Sequence, residues 1–445
     1  MSPVVAAILA ILFVAFGVLV SILLHEAGHF VFAKLFKVRV GQFMVGFGKT
    51  LWSRTIKGTE FGIKAIPLGG YISMAGMYPP TAPGRAADGA EAGSGYRLFQ
   101  TLVQDARSAS ADTIEPGYED AVFYKLPIWK RIIIMLGGPV VNFLIGIALF
   151  AIIITGLGAP ALLATVASVP ACVHPATSTS TVCDSSDAKS PAAKAGFKPG
   201  DKVLSVNGTS ITSWAQLTSI IRTSIAKPLA VVVERSGREV TLHATPISNA
   251  EYVLDPAGNI KKNSAGDARV HDVGYLGIDA TEYLKPLPAS DIMPQVWSTT
   301  TSVGGVVINL PARLVGVWNA AFSTAPRDPN GPIGLIGVGR IAGQIGTDGS
   351  PFALQFEQLL AVLASLNIAL FVFNLIPLPP LDGGHIIAAL WEGLKRGAAR
   401  IFHRSDPGPV DTAKIIPLTF AVVVVLVAMT VLLGYADIVK PITLQ

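Results

Sequence analysis

The chain is 445 residues long, 51% hydrophobic and only 14% charged, with a positive mean hydropathy. That composition excludes an ordinary soluble enzyme and calls for several membrane spans beside water-exposed portions. The net charge of +5 does not point to nucleic acid, because the basic residues flank hydrophobic segments and form no tail with interleaved aromatics.

Val4 to Leu24 is an apolar run of the length that crosses a bilayer, about 20 residues. It lacks the basic start and small-residue cleavage site of a signal peptide, so it reads as a retained span. Lys34, Lys37, Arg39, Lys49, Arg54, Lys57 and Lys64 follow it and no Lys or Arg precedes it. The positive-inside rule therefore predicts an outside N-terminus, with the far end of the span at the cytoplasmic face. That far end reads Ser21-Ile-Leu-Leu-His-Glu-Ala-Gly-His-Phe30, a His-Glu-x-x-His motif. On a helix His25 and His29 lie about 40° apart around the axis. Two neutral imidazoles so placed can grip one zinc ion, with Glu26 beside them to take a proton from water. A short pattern also arises by chance, but two histidines and a glutamate are costly in an uncharged apolar segment and mark function there. Two histidines do not close a site, so a third ligand is required.

Residues 40–77 are rich in Gly, aromatic and β-branched residues and read as short strands with tight turns. Gly46, Phe47, Gly48, Gly69 and Gly70 lie on this hairpin, which could dip towards the motif or stay an ordinary cytoplasmic hairpin. Residues 78–111, rich in Pro, Gly, Ala and Ser, read as a mobile loop. A second span, residues 132–157, follows the anchor Trp129-Lys130-Arg131. Its first turns, Gly137-Gly-Pro-Val-Val-Asn142, permit close helix packing, and Asn142 is assigned to interhelical glue in preference to the site.

The chain then turns polar, in a region expected outside the cytoplasm. Cys172 and Cys183 sit there, so a disulfide is expected. From Ser190 to Gly208 the sequence predicts a helix ending at Gly196, a Pro199-Gly200-Asp201 turn, a strand, and a hairpin turn at Asn207-Gly208. A helix over 213–225 and strands over 229–234 and 239–244 follow. This order, with its Ser-Pro-Ala-x-x-Ala-Gly-Phe-x-x-Gly-Asp wording, resembles a circularly permuted bacterial PDZ domain. The resemblance implies a peptide-capturing loop, matched by Tyr275, Leu276, Gly277 and Ile278; the alternative is a β-α module that only packs. Pro294 to Phe322 reads as amphipathic helix, and Gly331 to Gly337 as a flexible Gly-rich stretch near an entrance. A third span, 359–376, runs inward towards Lys395, Arg396, Arg400 and Arg404, and a fourth, 415–435, returns outward.

Depth now selects the missing ligand. It must come from the cytoplasmic end of another span, and the third ends Asn374-Leu-Ile-Pro-Leu-Pro-Pro-Leu-Asp382-Gly-Gly384. The prolines cannot continue a helix, the glycines permit a sharp turn, and Asp382 is the lone carboxylate there. It suits a zinc ligand beside His25 and His29; a helix cap is the alternative. The ordered motifs His25-Glu-Ala-Gly-His29, Gly-Phe-Gly, Pro67-Leu-Gly-Gly-Tyr71, Gly138-Pro139 with Asn142, a PDZ, and Asn374-x-x-Pro-x-Pro-x-Leu-Asp382-Gly resemble the bacterial site-2 protease family. The single PDZ is closest to its actinobacterial or Gram-positive branch.

The resemblance implies a polytopic α-helical membrane protein with four transmembrane helices, a membrane-associated β-hairpin region and an inserted α+β PDZ domain. The expected order is 1–36 first span, 37–127 cytoplasmic hairpin and loop, 128–157 second span and 158–281 PDZ. After it come 282–351 outside helices and Gly-rich loop, 352–384 third span, 385–414 cytoplasmic loop, 415–436 fourth span and 437–445 outside tail. It further implies one Zn2+ per chain, Glu26 as catalytic base, and Asn374 and Pro377 with the Gly-rich hairpin against the substrate backbone. The partners it implies are single-span membrane substrates such as anti-sigma factors, a site-1-type protease that cuts them first, and the lipid bilayer of the plasma membrane. No nucleic acid is expected. A catalytically silent scaffold that holds partners through the PDZ is the competing reading, and an intact Glu26 weighs against it.

Overall fold

Ser2 starts the first helix, its hydroxyl accepting from the Val5 amide, and Pro3 takes the first-turn position where its missing N–H does no harm. The computed structural model describes residues 2–79, 94–174, 183, 187–253, 261, 269–323, 327–328 and 331–442. The chain divides into two units, residues 1–157 with 287–445, and residues 158–286.

In the first unit α1 (Pro3–Leu35) outlasts its apolar run, so the His-Glu-x-x-His motif lies inside one continuous helix. Strands β1 (Val40–Ile56) and β2 (Thr59–Met74) form one long antiparallel hairpin, longer than the short strands expected. Its turn is Lys57-Gly58, both at positive φ. The register breaks around Gly46 and Gly48, also at positive φ, and Phe47, Leu51, Trp52, Ile63 and Ile66 are exposed. The loop expected over 78–111 is corrected from residue 94 onward: Ser94–Asp112 is helix α2, packed against the last span, with Arg107 paired to Asp411. The stretch 80–93 lies outside the described residues.

Helix α3 (Ile128–Ala151) continues as a wider π turn to Leu157. It meets α1 backbone to backbone: a Cβ on Gly28 would lie 2.3 Å from the Gly137 carbonyl oxygen, and one on Gly137 2.6 Å from that of Gly28. After the second unit, α6 (Ile292–Ile308) and α7 (Leu310–Phe322) form a pair bent by 72° at Asn309. The Gly331–Gly337 stretch expected to be flexible is instead pinned, and α8 (Leu335–Ile345) starts within it. Asp437, buried, accepts from the Gly334 amide at 2.9 Å, the Gly337 amide at 2.7 Å and Arg327 Nη2 at 2.7 Å. A carboxylate at a helix N-terminus answers the unpaired amides there.

Helix α9 (Phe352–Asn374) is followed by the Pro-rich turn and α10 (Asp382–Ile401), where a cytoplasmic loop was expected. Ile386 of α10 packs against the cluster that holds Ile134 and Met135, Glu392 meets Arg131, and a Cβ on Gly393 would lie 3.5 Å from Ile128, so α10 runs antiparallel along α3. The chain closes with α11 (Ile416–Val439). Among the described residues four helices are long and apolar enough to cross a membrane: 3–35, 128–157, 352–374 and 412–439, or five if the bent pair counts as one span.

The second unit is built on a sheet ordered β12-β3-β6-β8-β9. Its strands are β3 (Ala159–Ser168), β6 (Lys202–Val206), β8 (Leu229–Arg235), β9 (Arg238–Ala244) and β12 (Asp279–Lys285). Helices α4 (Pro191–Ala195) and α5 (Trp214–Arg222) cover a core of Val203, Val206, Leu217, Ile221, Val231, Val233 and Leu276. Gly196, Gly200 and Asn207-Gly208 take positive φ at the turns the sequence marked, as does Ser236-Gly237 between β8 and β9. The helix expected to reach Ile225 stops at Arg222. Strands β10 (Ile247–Tyr252) and β11 (Val270–Tyr275) form a separate hairpin. Cys172, in the short strand β4 (Cys172–Val173), forms a disulfide with Cys183.

Asp201 is fully buried, and Arg235 grips both its oxygens at 2.7 Å while the Lys198 amide donates at 2.8 Å. Burial works to raise this carboxyl, but the Arg235 and Lys198 bonds outweigh it and hold it below the usual carboxylate range. Its stabilisation is therefore present above the unfolded pKa, about 3.9, and is lost as pH falls through the lower folded value. Asp201→Asn should destabilise this unit by about 2–4 kcal/mol at neutral pH, the scale for breaking a buried pair discounted for the part-exposed arginine. The loss should shrink below about pH 4. Hydrogen exchange of β6 and β8 against pH measures both.

Candidate metal centre

Helix α1 presents His25 and His29 on one face, and α10 brings Asp382 to them in its first turn. His25 Nε2 and His29 Nε2 lie 3.1 Å apart, and Asp382 Oδ2 is 3.3 Å from the first and 3.4 Å from the second. Asp382 does not cap its own helix: Leu381 holds the cap position and makes no side-chain bond.

The backs of both rings are engaged. His29 Nδ1 is 2.7 Å from the Ile134 carbonyl oxygen, an obligate acceptor, so Nδ1 carries the ring proton. His25 Nδ1 donates to Asn142 Oδ1 at 2.6 Å. Both Nε2 atoms therefore offer lone pairs to each other and to a carboxylate. Asp382 Oδ2 is buried with no hydrogen-bond partner. Three acceptors at this range repel unless a cation lies among them, and two imidazoles with one carboxylate are zinc-type donors. Gly138 supplies the room, since a Cβ there would sit 2.3 Å from His29 Nε2 and 2.7 Å from His25 Nε2. The residues present fit the ion.

Asn142 joins α3 to α9 through Asn367, the interhelical glue expected, and it also takes the site role set second, binding His25. Gly138 and the Ile134 carbonyl went unassigned in the sequence; only the small Gly137-Gly138 pair hinted at close approach. Strand β2 passes the motif, a Cβ on Gly70 falling 3.2 Å from Glu26 Cγ. Gly69 lies under the Phe47 ring, which stacks on Tyr71. Gly46 faces the Ile66 carbonyl. Asn374 turns back on its own helix, Nδ2 donating to Leu370 O at 3.0 Å, and Pro377 lies in the turn beyond.

A second histidine-cysteine group, Cys172, His174 and Cys183, spends both sulfurs on the disulfide. In the same unit, Tyr275, Leu276, Gly277 and Ile278 line a cavity of about 210 Å³ with Trp214, Ile221 and Arg222. The loop is held by its carbonyls: Leu276 O accepts from the Ala192 amide at 2.8 Å, and the Ser190 hydroxyl donates to Leu276 O and Gly277 O.

Apolar spans around a His-His-Asp cluster define a multi-pass membrane metallopeptidase. The sequence profile of Peptidase family M50 matches residues 13–403. Similar chains include zinc metalloprotease Rip1 of Mycobacterium tuberculosis, 30% identical over 439 residues and 97% of each chain. Rip1 of Mycolicibacterium smegmatis is 28% identical over 98% of each, and metalloprotease MmpA of Caulobacter vibrioides 28% over 86% of each. The chain belongs to peptidase family M50, the site-2 protease family, and is a zinc metallopeptidase.

Gly138→Ala should weaken zinc binding by at least about tenfold, the lower scale for disturbing a metal's surroundings, with membrane insertion intact. Metal analysis of the purified variant measures it.

Proposed function

We propose that His25, His29 and Asp382 hold one Zn2+ and that Glu26 is the general base of an intramembrane endopeptidase. The convergence of two Nε2 lone pairs and an unpartnered Asp382 oxygen within 3.4 Å carries this reading. When bound, Zn2+ supplies Lewis acidity to water and to the scissile carbonyl. Glu26 accepts the proton of the attacking water and delivers it to the leaving amine. Asn142 and Ile134 O keep the histidines in the ligating tautomer throughout.

A membrane-spanning substrate hides its carbonyls in helical hydrogen bonds and must unwind at the site. Strand β2 beside Glu26 supports addition of the unwound segment to the hairpin as a further strand, with Gly46, Phe47, Gly48, Gly69 and Gly70 at the contact. Asn374 keeps its Oδ1 for a substrate N–H, since Nδ2 is spent on Leu370, and Pro377 ends the helix beside it. Charge order supports a reading in which the termini and residues 158–286 lie outside and the catalytic centre lies towards the cytoplasmic face.

Residues 158–286 act in this proposal as a PDZ domain. The cavity at Tyr275–Ile278 supports it, because a loop held by its carbonyls leaves its N–H groups for a peptide. The domain admits single-span substrates, anti-sigma factors among them, after a first protease has trimmed them outside. Glu26→Gln should retain zinc and slow cleavage of a co-expressed single-span substrate by about 10²–10⁴-fold, the usual worth of a general base. Cleavage at the wild-type rate would remove Glu26 from the mechanism.

A further inference from the structure

Behind His25 the hydrogen bonds do not stop at Asn142. They cross from α1 to α3 to α9 and return to α1, through side chains that are almost fully buried: Asn142 0%, Asn367 1% and Ser21 4% exposed. Asn142 Nδ2 donates to Asn367 Oδ1 at 3.1 Å. Asn367 Nδ2 donates to the Leu363 carbonyl at 2.9 Å and to Ser21 Oγ at 3.0 Å. The Ser21 hydroxyl donates to the Gly17 carbonyl at 2.8 Å.

This chain has a direction, set at its far end. The carbonyls of Gly17 and Leu363 can only accept. The Ser21 proton is committed to Gly17, so Ser21 Oγ accepts from Asn367, and both Asn367 amide protons are consumed. Asn367 must therefore show its oxygen to Asn142, Asn142 must answer with its NH2, and its oxygen is left facing His25. An amide in that orientation forces the His25 proton onto Nδ1 and the lone pair onto Nε2. Glycines allow the three helices to approach here: a Cβ on Gly17 would meet Leu363 at 2.6 Å, and one on Gly146 would meet Ile368 at 2.7 Å.

We infer that Asn367 is a positioning residue for the metal centre, acting through Asn142 to hold His25 in the tautomer that ligates through Nε2. This rests on the proposed assignment of His25 as a ligand. With Asn367 replaced by leucine, Asn142 loses the partner that orients it. Its NH2 then turns to His25 as readily as its oxygen, which draws the ring proton onto Nε2, where it blocks ligation. An aspartate at 142 offers an acceptor in either orientation and makes the relay unnecessary.

The test is zinc affinity of the full-length protein in detergent, read by competition with a chromogenic chelator, with unfolding of the metal-free protein followed in parallel. Asn367→Leu is expected to weaken zinc by about 10–100-fold, the scale for a partner behind a ligating histidine, without lowering the metal-free unfolding temperature in proportion. Asn142→Asp in the Asn367→Leu background is expected to recover most of that affinity. Wild-type affinity in Asn367→Leu overturns the relay, as does failure of the double variant to recover, which would reduce Asn367 to packing. If His25→Ala binds zinc as the wild type does, it is the ligand assignment that fails.

Discussion

Two imidazole lone pairs and a carboxylate oxygen, brought within 3.4 Å inside an apolar bundle, are the constraint around which the first unit is arranged. Each buried unpaired acceptor costs about 1–3 kcal/mol, and their mutual repulsion adds to that. A structural zinc ion contributes on the order of 10–16 kcal/mol in small peptides at neutral pH, which more than offsets the penalty. The backbone must hold these three groups together against that repulsion. Contact between Gly28 and Gly137 sets α1 against α3, and Gly138 leaves the ligand face open. From the other side, Arg131 and Glu392, both buried and 2.6 Å apart, fix α10 along α3 and so fix the depth of Asp382.

The parts of this arrangement visible in the sequence are those where chemistry is local. His25 and His29 lie one helical turn apart, and their spacing alone aligns them. Asp382 is more than three hundred residues away, yet it is the lone carboxylate where the third span breaks at matching depth, so charge order along the chain could find it. Asn367 has no such mark. One amide in an apolar helix reads as packing, and its role emerges only when Leu363, Ser21 and Asn142 surround it. Gly138 stands in a recognisable motif, but its role is hidden for a related reason: what matters is an atom it lacks. Helices α2 and α10 were missed because their apolar faces are completed by other elements, α2 by the last span and α10 by α3.

Asp437 was overlooked for the opposite reason. It looks like an interfacial charge at the end of a span, whereas it is buried and answered by Arg327 and by the first amides of α8. It thereby converts the Gly331–Gly337 stretch from a hinge into a fixed helix start. The effect reaches the helix that carries His25 and His29, since the end of α8 also presses on α1, where a Cβ on Gly346 would come 2.8 Å from the Ala6 carbonyl oxygen. Helix α1 is thus gripped along its length by α8 near its start, by Asn367 at its middle and by α3 at the motif.

Buried ion pairs such as Arg131–Glu392 and Arg327–Asp437 are a poor source of net stability, because desolvation consumes most of the attraction. Well-packed apolar residues would serve stability as well. What an apolar contact cannot do is forbid a slip: a leucine ridge can move one turn and still be buried, whereas Glu392 displaced by a turn abandons Arg131 and the Val410 amide together. Register is the quantity a split metal site depends on. The proposed ligands sit on helices that are not neighbours in sequence, and a slip of one residue on α10, about 1.5 Å of rise and 100° of rotation, removes Asp382 from the histidines altogether. The polar residues buried in this bundle are therefore best understood as fixing register, with stability left to the apolar packing around them.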